Sequence, residues 1–384
     1  MINKIKKNPL FLKFLYSVDN FKFIFLLSFF VFLYIPLFNF FININKSGGK
    51  PFITDDWLIN YNHGFVRRGL FGTLLLNSRF YENKLDLLSY TLIIFYLILI
   101  ILSIYIFTKF YQNTNSYILL FSPIFLFFPR LDFGGGFRKE ILGLISFCIF
   151  VVYFEIFKNK ILLFLGSFFI LFAVFTSEVN LFIYPFLTWL ILRNKKINLS
   201  EVALIYIPLI LYIFSFFFLF GDSQLISSNL CKDAINLTNN DSICGGIDWL
   251  AYDLITTINI VNEKLMLEYS SYIIAALFSF LPFYKTDFLN KYKLMLIFTI
   301  ICFAPLFIVA LDWGRWLYIY FYCLYLIYFS ENKKNRGLNL YIALIFIPLN
   351  TTSWRALHFG NIYEDYITYF LDKNILISFF EILF

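Results

Sequence analysis

Between Asp55 and Gly72 the chain reads DDWLINYNHGFVRRGLFG, a stretch that gathers several reactive side-chain types within eighteen residues. The adjacent carboxylates Asp55 and Asp56 are followed by His63, one of two histidines, and then by adjacent Arg67 and Arg68. A carboxylate or an imidazole can take the proton of an attacking hydroxyl. Guanidinium groups stay charged and fork onto phosphate oxygens. Asp55, Asp56 and His63 are therefore candidate catalytic groups, and Arg67 and Arg68 candidate phosphate or diphosphate ligands. Simple solvated charge is the plain alternative for the two aspartates.

Similar polar islands recur further along. PRLDFGGGFRKE, at Pro129–Glu140, surrounds a triple glycine with Arg130, Asp132, Arg138 and Lys139. Such a run allows close backbone approach to a ligand, and it serves equally as a plain turn. TSEVN leaves Glu178 with almost no loop to solvate it, so an ion pair with a nearby arginine is expected. DWGRW sets Asp312 three residues from Arg315, a spacing at which the two can pair. WRALHFGN carries Arg355 and His358. Arg138, Arg315 and Arg355 join the candidate phosphate ligands, with Asp132, Glu178, Asp312 and His358 as supporting groups. No metal-ligand spacing occurs, so no cofactor is expected. A divalent ion beside the aspartate pair is conceivable, without a cage to hold it.

The elements that must position these residues are set by composition. The chain has 384 residues, 60% hydrophobic and 14% charged, with mean hydropathy +0.76. Soluble domains carry about 25% charged residues, so the surrounding solvent is lipid and the expected class is an all-α, polytopic integral membrane protein. A net charge of +7 fits basic cytoplasmic loops rather than a nucleic-acid binder. Taking about 20 residues per crossing, about eleven segments are expected, near 22–42, 87–108, 116–129, 141–157, 161–176, 179–193, 200–220, 270–284, 294–311, 316–330 and 338–350. They form one multi-pass domain over residues 1–384. The first apolar run is too long for a cleavable leader.

The basic N-terminus, MINKIKKNPLFLK, predicts a cytoplasmic start. On that topology most lysines fall inside, while Arg67, Arg68, Arg79, Arg130, Arg138, Arg315 and Arg355 fall outside. Arginine on the outer side runs against the usual bias and suggests an anionic ligand there; capping helix ends or pairing with carboxylates is the bland alternative for each. The outer side includes a first segment over residues 43–86, with an amphipathic stretch, Leu70–Leu85, expected along the interface. It also includes a long loop over residues 221–268, which either covers the site or forms a structural flap. Cys231 and Cys244 in that loop are a candidate disulfide for an oxidising compartment.

Outward carboxylates, arginines and a histidine suit transfer of a sugar from a lipid-linked phosphate donor, with arginines neutralising the leaving group. An acidic pair in the first outer loop of a many-helix membrane protein resembles the GT-C class of glycosyltransferases, and it implies a GT-C-like helical bundle with Asp55 or Asp56 as base. Chain length, arginine-bearing outer loops and the lack of a soluble domain look still more like Wzy-type O-antigen or capsule polymerases. That resemblance implies undecaprenyl-linked repeat units as substrate, the bacterial inner membrane as location, membrane lipid as surroundings, and a chain-length regulator or other glycan-assembly proteins as partners. Two alternatives stand beside it: a GT-C transferase using a polyprenyl-phosphate sugar, and a flippase or transporter of lipid-linked glycan. Acyl transfer with His63 or His358 as base is a third.

Overall fold

The structure, a computed structural model, describes residues 20–79, 83–110, 119, 120, 122, 124–194, 197–219, 221–252, 254–263, 276, 277, 279, 280, 283, 287–309 and 312–331. Every regular element among these is helical. Among the described residues three helices are long and apolar enough to cross a membrane: α1 (Asn20–Lys46), α4 (Lys84–Phe110) and α10 (Leu199–Leu219). Between α1 and α4 lie two short helices, α2 (Asp55–Leu58) and α3 (Leu70–Asn77). The chain then makes two four-residue turns of helix, α5 (Phe128–Leu131) and α6 (Phe133–Gly136), before α7 (Ile141–Glu155) and α8 (Lys160–Thr176). A 3-10 turn, Glu178–Ile183, leads into α9 (Tyr184–Arg193). After α10 come α11 (Ser223–Thr238), α12 (Gly245–Asp248) and α13 (Leu254–Glu263), then α14 (Phe288–Lys291), α15 (Lys293–Val309) and α16 (Trp313–Glu331).

Burial divides these helices into a core and a shell. In α7 every residue from Ile141 to Phe154 is buried, and in α16 every residue from Gly314 to Ser330. Helices that are apolar on all sides can be buried on all sides, and these two form the centre, packed against each other and against α4. The shell presents apolar side chains outward: Ile210, Phe214, Phe217 and Phe218 of α10 and Ile161, Phe164 and Phe168 of α8 are exposed. A water-soluble protein would not display so continuous an apolar surface.

Several expected segments appear in altered form. Of the expected segment 116–129, the described part ends in a turn at 124–127 followed by the start of α5, with Pro129 in the first turn of that helix. Residues 179–193 divide into the 3-10 turn and the ten-residue α9, with Pro185 near the α9 start. Of the expected interfacial stretch, Leu70–Leu85, Leu70–Asn77 form α3, which packs Phe71, Gly72 and Leu75 inward, and Lys84 and Leu85 already belong to α4. Gly72 is required there, since a Cβ would collide with the Ile59 carbonyl. The expected segment 338–350, most of 270–284, and the end of the 221–268 loop lie outside the described residues.

Candidate active site

The Asp55–Gly72 stretch folds as a compact plug at one end of the bundle. Trp57 is fully buried, donates from Nε1 to the Phe137 carbonyl at 3.1 Å and meets the Phe71 ring edge-on. It thereby ties α2 to the turn after α6 and fixes where Asp55 and Asp56 lie. Both carboxylates are buried, yet they face different surroundings.

Asp55 is held by backbone N–H groups. Its Oδ2 accepts from Gly246 at 2.5 Å and from Ile247 at 3.4 Å, and its Oδ1 accepts from the Asp56 N–H at 2.8 Å. Burial, followed by the adjacent Asp56 charge, pushes its pKa up to about 7 against the pull of those donors and of Arg138. Asp55 thus fastens α12 to the segment between α1 and α4 through Oδ2, and both its oxygens hold backbone N–H groups.

Asp56 sits among cations. Arg68 Nη1 lies 3.5 Å from its Oδ1 and Arg138 Nη1 lies 3.7 Å from its Oδ2. Burial works against its charge, but Lys139, Arg68, Arg138 and Arg315 outweigh it and hold the carboxyl below its usual range. Its Oδ1 has no hydrogen-bond partner among the described residues.

The arginines converge from separate elements. Arg68 grips Glu178 through Nε at 2.9 and 2.8 Å and through Nη2 at 2.6 Å. Burial would raise the Glu178 pKa, but this clamp and Arg67 bring it down to about 2, and Arg68 is correspondingly raised. Arg67 lies only 3.9 Å from Glu178, donates to the Trp249 carbonyl at 3.1 Å, and is the most exposed guanidinium of the group, at 32%. Burial lowers its pKa. Arg315 pairs with Asp312 at 2.7 Å, approaches Glu140 at 3.9 Å and lies over the Trp316 ring. Its Nε and Glu140 Oε2 lack hydrogen-bond partners among the described residues.

Not every expected site residue joins this cluster. His63 stands on the exposed rim, its Nε2 2.7 Å from Asp233 Oδ2 on α11. Asp132 caps α6 by accepting from the Gly135 N–H at 2.7 Å. The triple glycine is a helical turn with no left-handed residue, and a Cβ at Gly135 or Gly136 would collide with Asp132 or Pro129. Gly135 and Gly136 serve packing, which accords with the plain-turn alternative for this run. Arg138 uses Nε on the Gly134 carbonyl at 3.1 Å and Nη1 on the Phe52 carbonyl. Arg355 and His358 lie outside the described residues. Cys231 and Cys244 are disulfide-bonded, with Cα atoms 5.4 Å apart.

Two members of the cluster stood out little in the sequence. Lys139, fully buried, donates to the Arg68 carbonyl at 2.8 Å, and burial lowers its pKa to about 8. Glu140 accepts from Ser177 at 3.4 Å and faces Arg315. The only hint of either was the charged run RKE directly before an apolar helix. Among the described residues no group of side chains has the composition of a metal cage. Compared with known protein families, with curated proteins and with solved structures, the chain shows no match.

Proposed function

We propose that this chain is a membrane-embedded glycan-transfer enzyme that acts on polyprenyl-linked sugars at the outer face of the bacterial inner membrane. Within that class the reading is a Wzy-type repeat-unit polymerase with about eleven crossings, a GT-C-like bundle and a cytoplasmic N-terminus. One observation carries it. Asp56, Arg67, Arg68, Arg138, Lys139, Glu140, Glu178, Asp312 and Arg315 arrive from separate stretches of chain into one ionic cluster at one end of an apolar bundle. Burying charge is expensive, and apolar replacements of buried ion pairs are often neutral or stabilising. A bundle needing only stability has little use for such a cluster, whereas charge within a membrane protein is typically functional.

In this reading Arg67 and Arg68 hold the phosphate or diphosphate of the donor and Arg315 lies behind them. The acceptor hydroxyl attacks the anomeric carbon, the C–O bond to phosphate breaks, and the phosphate leaves with the bonding electrons. Asp56 takes the hydroxyl proton. Without substrate its basicity is suppressed by the surrounding cations; a bound phosphate competes for those cations and raises it. Asp56 is preferred to Asp55, whose oxygens hold backbone N–H groups, and to His63, which is paired with Asp233.

The test is genetic and chemical. Arg67→Ala, Arg68→Ala and Asp56→Asn should each abolish the chain-length ladder of surface polysaccharide, Arg67→Ala and Asp56→Asn at normal protein levels. A mutant lacking the protein should accumulate single repeat units. Full-length glycan missing one sugar would instead mark a single-sugar transferase, and unchanged ladders in all three variants would reject the site.

A further inference from the structure

Two L-residues of the first outer segment have left-handed backbone, Phe52 at φ 62° and Arg68 at φ 74°. Crowding between Cβ and the carbonyl oxygen makes this region unfavourable for both, and such conformations persist only where the surroundings impose them. Both carbonyls end on neighbouring cations of another stretch of chain. Arg138 donates from Nη1 to the Phe52 carbonyl, and Lys139 donates from Nζ to the Arg68 carbonyl at 2.8 Å. Arg138 is oriented by its second bond, from Nε to the Gly134 carbonyl, and its guanidinium lies 5.9 Å from the Phe52 ring centre.

We propose that Arg138 and Lys139 are a positioning pair: by capturing the carbonyls of Phe52 and Arg68 they hold residues 50–69 in the strained shape that brings Asp56 and Arg68 together with Glu178. They act through the backbone of the first outer segment rather than on the substrate. The geometry stands whatever the reaction; only its consequence for activity rests on the glycan-transfer reading. The charged groups that face Lys139 are Asp56, Arg68, Glu178 and Glu140. Its ammonium is therefore held by three carboxylates and opposed by one guanidinium. Burial brings the Lys139 pKa down to about 8, so deprotonation weakens the hold on the Arg68 carbonyl, and a limb of declining activity is expected near that pH. In Lys139→Arg that limb should move to higher pH, since guanidinium stays charged.

Hydrogen–deuterium exchange on the purified, detergent-solubilised protein tests this directly. In Lys139→Met and Arg138→Met, amides within residues 50–69 should exchange about tenfold faster, while those of α4 and α7 stay as in the unaltered protein. Phe52→Gly introduced into Arg138→Met should restore protection, because glycine adopts φ 62° without the Cβ penalty. Loss of charge alone would not be repaired by a glycine at position 52. Unchanged exchange in both single variants overturns the proposal, as does a double variant with no recovery. If Lys139→Met does not fold, the Arg138→Met and Phe52→Gly comparison still decides. Faster exchange with an unchanged polysaccharide ladder would leave the positioning pair standing and reject this cluster as the glycan-transfer site.

Discussion

Replacing Glu178 by glutamine removes the charge on which Arg68 closes with three contacts of 2.6 to 2.9 Å. Two independent lines give the size of the effect. The Glu178 pKa falls from 4.5 to about 2, and at 1.36 kcal/mol per unit this corresponds to roughly 3 kcal/mol in favour of the charged form. Breaking a buried ion pair by removing one partner costs about 3–5 kcal/mol, because the other charge is left uncompensated. Glu178→Gln should therefore destabilise the protein by about 3 kcal/mol, read from its unfolding in mixed micelles. Arg68→Met should cost a similar amount, and the double variant should cost little more than either alone, since the second change removes an already stranded partner. Strict additivity of the two would refute the coupling. The pH dependence gives a second check. A lowered carboxyl pKa contributes stability that is complete above the ordinary value of 4.5 and is lost as pH falls towards 2. Glu178→Gln should flatten the acid limb of the stability curve in that window.

Asp55 should behave in the opposite sense: its folded pKa is raised from 3.8 to about 7, so the folded state binds the extra proton and this group's contribution falls as pH rises between those values. Asp55→Asn should remove that slope, measured by unfolding between pH 4 and 8. Reducing the Cys231–Cys244 bond, or replacing both residues by serine, should open the segment around α11 and α12. The bond spans 13 residues, and loops near that size contribute about 3 kcal/mol; limited proteolysis should cut within residues 223–252 while the long apolar helices α1, α4 and α10 stay intact. Gly72→Val should lower the unfolding midpoint and raise exchange of the Trp57 indole N–H, because the added side chain drives α3 away from the Ile59 carbonyl. His63→Ala should leave the polysaccharide ladder in place, since His63 pairs with Asp233 on the exposed rim.

How far this site could be read in advance depended on what each residue needed. The need of Glu178 for a partner was legible, because a carboxylate with no loop around it must find a cation, and Arg68 supplies one. Paired cysteines thirteen residues apart in a polar segment were equally readable. The different surroundings of Asp55 and Asp56 were not, since adjacent residues with the same chemistry are separated only by which segment folds over each. Gly246 belongs to a stretch almost two hundred positions away, and nothing near Asp55 announces it. Lys139 and Glu140 looked like flanking charge because their roles lie in tertiary contacts with Arg68 and Arg315. The polar TSEVN marked a break there, but the 3-10 form of Glu178–Ile183 was not legible, since the apolar run that follows reads equally well as the start of an α-helix.

At the opposite end of the bundle from Asp56, Arg193 bridges Glu155 at 2.5 Å and Glu331 at 3.3 Å, and Lys291 also reaches Glu331. The two central helices are therefore tethered twice. Arg315 at the head of α16 faces Glu140 at the head of α7, and Arg193 joins their tails. Sliding one helix past the other by a single turn, about 5.4 Å, would break both tethers at once. The centre of the molecule behaves as a braced frame with fixed register. Motion of the segments held by Asp55, Arg138 and Lys139 is then taken up around that frame rather than within it.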